Sequence, residues 1–269
     1  MRASRPRATV VLFAGALMGC EAAMTRTTRD TPGDSGSGSG PIPTFSTPAT
    51  RPCPALRPNS VLVDATHDGG VWWFPQSDTT PDGFNPDSAH QGFALVQYLR
   101  ARGYAVTELG RGATLSTDSL RTYATVIRAG YFADDLHAGY SSEDLVAYNA
   151  YLDCPRTLVL LGEYLRDGRR DPLADDIGIR LTGILTGTVT NFTEHELTVG
   201  VSTLPFIAGS FLENGSDAGI QVLGLLPSGE RVMGVLSKGS SKVFFIGDTN
   251  GMESMPQPLL QNLVAWGFR

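Results

Sequence analysis

SSEDLVAYNAYLDCPRTLVLLGEYL, residues 141–165, holds a helix and a strand in a form that constrains everything around them. Ser141-Ser142-Glu143-Asp144 has the pattern of a capping box, in which a serine hydroxyl and an acidic side chain satisfy each other's free backbone N–H groups. Leu145, Tyr148 and Leu152 then recur at core spacing on one helical face. Pro155 cannot continue a helix. Thr157–Leu161 follows as five residues without polar alternation, the mark of a strand covered on both faces.

Working outward, the same alternation of helix and apolar strand repeats toward the N-terminus. Ala124–Ala129 reads as a strand, preceded by a short helix closed by Leu120. Tyr104–Leu109 is another strand, and Ser60–Asp64 the first. Between them Ser88–Arg102 is a helix with Ala89, Phe93, Val96 and Leu99 on one face and Gly103 as its stop. The order β-α-β-α-β-α-β with hydrophobic strands predicts an α/β fold: a doubly wound, mostly parallel sheet with helices on both faces. Toward the C-terminus the texture turns β-rich from Gly183 to Leu236, with strands expected at Leu197–Val201, Gln221–Leu226 and Arg231–Leu236 and a hairpin turn at Ser228-Gly229. Lys242–Gly247 is one more buried strand. Pro258–Phe268 is a closing helix with Leu259, Leu263 and Trp266 inward.

The first 59 residues have another character. Arg2, Arg5 and Arg7 precede an uncharged apolar run, Ala8–Gly19, which suits a signal peptide and is short of the roughly 20 residues that a membrane span needs. Residues 1–19 are therefore expected to be a cleaved signal, 20–59 a Gly/Ser/Pro-rich disordered tether, and 60–269 the folded body. The run ends in Leu17-Met18-Gly19-Cys20, which resembles the lipobox of bacterial lipoproteins, although Met18 departs from the small or β-branched residue usual there. The resemblance implies a diacylglycerol on the Cys20 sulfur. The expected location is then the bacterial cell envelope, extracytoplasmic and lipid-anchored, at an outer membrane or periplasmic face in a diderm cell. An ordinary secretory signal is the alternative.

At 41% hydrophobic and 18% charged the chain is ordinary globular material, and its net charge of -6 leaves no electrostatic footprint for nucleic acid. Lys238 and Lys242 are its only lysines. With Cys20 lipidated, Cys53 and Cys154 remain as an even pair in an oxidising compartment. Each lies just before a strand that a parallel sheet sends in the same direction, so a disulfide between them is expected to pin the end of the tether to the body. Two free thiols are the alternative.

The layout resembles the class I glutamine amidotransferase-like fold. It is most similar to a non-catalytic branch found in uncharacterised lipoproteins, in the extracytoplasmic part of gliding-motility transporter proteins and in the ThuA-like group. The residues carrying the resemblance are VLVDATHDGG (61–70), SSEDLVAYNAYL (141–152) leading into TLVLLGEYL (157–165), HELTVGVSTLPF (195–206) and KVFFIGDTNGMES (242–254). Active amidotransferases carry a nucleophilic cysteine two residues after a glycine in the tight turn behind this strand. Here the turn reads Gly162-Glu163-Tyr164, with tyrosine in place of the thiol, and acyl transfer by that route has no nucleophile.

In open α/β sheets ligands bind beyond the carboxyl ends of the strands. Asp64, His67 and Asp68 follow the first strand, Tyr131 the third, Glu163 and Tyr164 the fourth, and Asp248 and Asn250 the late one. Such a carboxylate-rich crevice with one histidine suits a divalent cation, a sugar or acid–base hydrolysis. The plainer reading has Asp64 and Asp248 bonded to loop amides. No two histidines have zinc-ligand spacing, so no metal and no cofactor is expected. His195 reads as a structural loop residue, while His90 sits near a helix start and His137 in a polar loop. Trp72-Trp73-Phe74 lies in a long loop, either as an aromatic contact surface for a sugar or a partner protein, or folded back over the sheet edge. The expectation is a binding or assembly module whose partners are the membrane, through its lipid, and an envelope protein or a carbohydrate. An extracytoplasmic hydrolase and a structural part of an envelope or transport assembly are the alternatives.

Overall fold

The structure, a computed structural model, describes residues 52–68, 72, 90–131, 139–166, 168–213, 219–250 and 255–268. Cys20, the proposed signal, most of the tether, His137, Trp73 and Phe74 lie outside the described residues.

Ser60–Asp64 forms β1, all five residues buried. It pairs in parallel with β2 (Ala105–Leu109) on one side and β3 (Thr125–Arg128) on the other. Next to β3 lies β4 (Thr157–Leu161), and next to β4 lies β10 (Ser241–Ile246), both parallel. Three antiparallel strands extend the sheet beyond β10: β9 (Arg231–Lys238), β8 (Ile220–Leu225) and the short β6 (Asn191–Phe192). The eight strands run in the order β2-β1-β3-β4-β10-β9-β8-β6. The parallel part follows the 2-1-3-4-5 winding of flavodoxin-like sheets.

Five helices accompany the strands among the described residues: α1 (Phe93–Arg100), α2 (Thr117–Leu120), α3 (Ser142–Leu152), α4 (Pro172–Asp176) and α5 (Gln257–Gly267). Because successive side chains of a strand point to opposite faces, neighbours in one strand enter different clusters. Val61 and Val63 pack with Leu95, Val96 and Leu99 of α1 and with Leu259 and Leu263 of α5. Leu62, between them, packs with Leu120 of α2 and with Ala147, Tyr148 and Tyr151 of α3. The same division separates Val159 and Leu161 from Leu158 and Leu160. Continuous apolar runs such as TLVLL follow from this double burial.

The capping box at Ser141 is present, with Asp144 N–H donating to the Ser141 hydroxyl at 3.1 Å and Ser141 N–H to the Asp144 carboxylate at 2.9 Å. α1 begins later than the sequence predicts, at Phe93. Gly92 precedes it without a side-chain cap, and the Trp72 indole occupies the space a side chain at 92 would need.

Two parts of the second half differ from expectation. Leu197–Val201 is a turn, not a strand: the Thr198 hydroxyl donates to the Thr193 and His195 carbonyls and accepts from His195 N–H, and Gly200 takes φ +73°. Local side-chain bonds of this kind compete with a strand ladder. The strands of this region are β5 (Leu181–Val189) and β7 (Leu204–Leu212), which pair antiparallel as a separate two-stranded sheet. Glycines at 183, 187 and 209 and two register shifts hide their alternation. The β7 backbone crosses close to the end of β10: Ser210 N–H donates to Gly247 O at 2.7 Å, and a Cβ at 247 would lie 1.8 Å from Ser210 O. Only glycine fits there.

Order begins before residue 60. Arg57 N–H donates to Thr122 O at 2.9 Å, the Arg121 and Arg156 guanidiniums donate to Pro52 O and Pro54 O, and Cys53 is joined to Cys154 by a disulfide. The last eight residues of the expected tether are thus held on the body by carbonyl acceptors and a covalent link, not by apolar burial.

Candidate functional site

The residues that follow β1, β3, β4 and β10 share the carboxyl edge of the parallel strands. Asp64 ends β1 and is buried. One of its oxygens accepts from Thr66 N–H at 2.9 Å and from the Thr66 hydroxyl, and the other from the Tyr148 hydroxyl of α3. Asp248, past β10, is equally committed. One oxygen accepts from Ile207 N–H at 2.7 Å and the other from Asn250 N–H at 2.8 Å, while the Asn250 amide donates to Ile207 O at 3.2 Å. Asp248 and Asn250 therefore clamp β7 to the end of β10. The His67 ring lies 4.1 Å from that of Tyr140, and its Nε2 is 3.4 Å from Asp144 of α3. Tyr164, half-buried, carries the Arg166 guanidinium 4.9 Å above its ring.

What the fold does bring together is Asp68, Glu163 and Asp248. Asp68 is buried, bridges to Tyr131 and accepts Trp72 N–H at 3.0 Å. Glu163 is 2% exposed. Its Oε1 accepts Tyr164 N–H at 3.2 Å, and its Oε2 has no hydrogen-bond partner among the described residues. Burial first, and then the negative charges of Asp248 and Asp68, push its carboxyl up to about 8, with the Tyr164 N–H opposing. A carboxyl in such surroundings keeps its proton at neutral pH. Thr249 belongs to the same spot, donating to Gly162 O at 2.8 Å, and a Cβ at Gly130 would meet both its hydroxyl and Glu163.

Among the described residues no three His, Cys, Asp or Glu side chains are arranged to hold a metal ion. His195 is tied into its own turn, its Nδ1 accepting Leu197 N–H at 3.1 Å. Trp72 takes the inward orientation: it is fully buried and donates from Nε1 to Glu108 of β2 at 3.2 Å, beside His90, whose Nε2 lies 3.2 Å from the same carboxylate. It covers the β2 edge of the sheet.

Sequence reading missed a buried polar group behind the site. Arg128, at the end of β3, pairs with Asp171, which caps α4. Burial pushes the Tyr140 hydroxyl well above its ordinary value against the pull of Arg128, and burial with Asp64 does the same to Tyr148. The available signal was an arginine inside an otherwise apolar strand, TVIR, since a buried charge requires a partner.

Neither a protein-family model nor a curated protein matches the sequence. Solved structures do match in shape. The mmIFT52 N-terminal domain superposes with TM-score 0.52 at 11% identity, over 77% of this chain and 95% of that one. A ThuA-like protein from Bacteroides uniformis gives 0.49 at 11% identity over 82% and 95%. A GMP synthase protein from Thermoplasma acidophilum gives 0.46 at 8% identity over 77% and 94%. The mmIFT52 N-terminal domain thus shares the overall α/β fold of this chain. Identities this low speak to the fold alone.

Proposed function

We propose that this chain is a non-catalytic, amidotransferase-like module of the bacterial cell envelope that binds a ligand or a partner protein and is anchored through a lipid on Cys20. The doubly wound cover, with helices on both faces of the sheet, belongs to the same reading and is supported by the division of neighbouring strand residues between two clusters. The observation that carries the non-catalytic reading is the commitment of Asp64 and Asp248: all four of their carboxylate oxygens accept hydrogen bonds from within the fold. With tyrosine at 164, neither a nucleophile nor a free base stands at the turn after β4. Anchoring rests on the order of basic residues, apolar run and Leu17-Met18-Gly19-Cys20. Among the described residues no helix is long and apolar enough to cross a membrane.

The test has two arms. Cys20→Ser should release the protein from the membrane fraction or leave it unprocessed; unchanged retention and unchanged mature mass overturn the anchor. Melting of the intact protein should rise with at least one member of a panel of calcium, zinc and sugars, by mass action. No shift across the panel moves the reading to a protein partner within an envelope or transport assembly. A second reading, a hydrolase, is favoured by one observation: a buried carboxyl that keeps its proton near neutrality is what a general acid requires. Glycoside hydrolysis abolished by Glu163→Gln would establish it.

A further inference from the structure

The disulfide between Cys53 and Cys154 is open from one side only. Cys53 is exposed, whereas Cys154, just past the end of α3, is 0% exposed. Beside the disulfide, where α2 and α3 meet, lies a cavity of about 500 Å³. Cys53, Thr117, Arg121, Val146, Ala150 and Asp153 are among its lining residues. A space of that size is within the range of small-ligand sites. A thiol can therefore reach the Cys53 sulfur while the body stays folded.

The buried sulfur has a cation against it. The Arg121 guanidinium donates through Nη2 to Cys154 Sγ at 3.5 Å and to Pro52 O at 3.0 Å. A second guanidinium, that of Arg156, stands behind it and donates to Arg121 O at 2.9 Å. Asp153, next to Cys154 in the chain, lines the cavity and opposes the two cations. A thiolate in contact with a guanidinium is stabilised, and a better-stabilised thiolate leaves a disulfide faster. Exposure and charge thus select the same polarity: attack at Cys53, departure of Cys154.

We propose that Cys53–Cys154 is a site of thiol–disulfide exchange, entered at Cys53 by a peptide-borne thiol. The cavity wall combines the Asp153 carboxylate, the Thr117 hydroxyl and the apolar Val146 and Ala150, a mixture suited to a peptide. The incoming thiolate attacks Cys53 Sγ and forms a bond to it. The bond to Cys154 breaks, and its electron pair leaves on Cys154 Sγ as a thiolate facing Arg121. A second thiolate of the reductant then attacks the reductant's sulfur in the mixed disulfide, and Cys53 departs and takes a proton from water. The reductant ends as a disulfide and both cysteines end reduced, a transfer of two electrons. The hold on Pro52–Asn59 then rests on the Arg121 and Arg156 bonds to Pro52 O and Pro54 O and on Arg57 N–H to Thr122 O. None of this depends on the anchor at Cys20.

The full chain, without denaturant, is incubated with excess reduced glutathione and quenched with acid at successive times. Alkylation with N-ethylmaleimide in denaturant, then proteolysis and mass mapping, distinguishes Cys53, Cys154 and Cys20. The expected first product carries glutathione on Cys53 and maleimide on Cys154. Arg121→Gln should slow its appearance roughly fivefold or more. Arg121→Lys, which keeps a positive charge near the sulfur, should restore most of the rate, and matching circular dichroism of the oxidised variants checks their fold. Glutathione on Cys154 in equal or larger amount overturns the proposal, as does a disulfide that exchanges only after denaturation. An undiminished rate in Arg121→Gln, or a slowing that Arg121→Lys leaves in place, overturns the part given to the guanidinium. The position of the adduct is read on the wild-type chain, independently of how well either variant folds.

Discussion

Glu163 sits where its family resemblance places the turn of the nucleophile, yet its own chemistry is that of a buried acid. Its carboxyl is raised from the ordinary 4.5 to about 8 by burial and by Asp248 and Asp68. A raised carboxyl favours folding while protonated, so its contribution is intact below about pH 4.5 and is lost as pH rises toward 8. The loss is on the order of 4 kcal/mol. Glu163→Gln should therefore flatten the fall in unfolding free energy between pH 5 and pH 9, as measured by urea denaturation at each pH. An equally steep fall in the variant assigns the loss to another group. Asp64 and Asp248 were legible from sequence as residues at strand ends, because acidic side chains there bond to nearby amides. Their particular donors were not: Tyr148 is 84 residues from Asp64 and Ile207 is 41 from Asp248.

At the scale of the element, strands and helices with strong local signals were readable, and those shaped by distant contacts were not. β1, β4 and the Ser141 cap have the predicted starts because apolar runs and cap chemistry are local. The start of α1 was misread by several residues, since it depends on Trp72 filling the space at Gly92. A Cβ at 92 would lie 2.0 Å from the indole. Gly92→Ala should force Trp72 out of its site, costing about 2 kcal/mol and red-shifting the fluorescence emission. A native emission maximum and stability contradict this packing. β5 and β7 escaped notice for a related reason: their glycines are needed where β7 crosses the end of β10, and glycine erases the pattern by which a strand is recognised.

For the whole molecule the decisive link is Cys53–Cys154, which closes a sequence separation of 101. Loop-closure entropy for a span of that length is worth about 4.7 kcal/mol. The double variant Cys53→Ser/Cys154→Ser should lose about that much against urea, and reduction of the native protein should match it. A loss under about 1 kcal/mol in both shows that the Arg57, Arg121 and Arg156 hydrogen bonds hold the segment unaided. The sequence by itself determined the α/β class, the run of parallel strands and the lack of a thiol at residue 164, because each is written in local pattern or residue identity; it offered Cys53 and Cys154 only as candidate partners. Only the tertiary structure decided which carboxylates are consumed as caps, that Glu163 is buried beside two acids, and that Cys53 meets Cys154. Those facts depend on groups brought together across tens of residues, and burial, which sets their energies, belongs to the fold and not to any one stretch of chain.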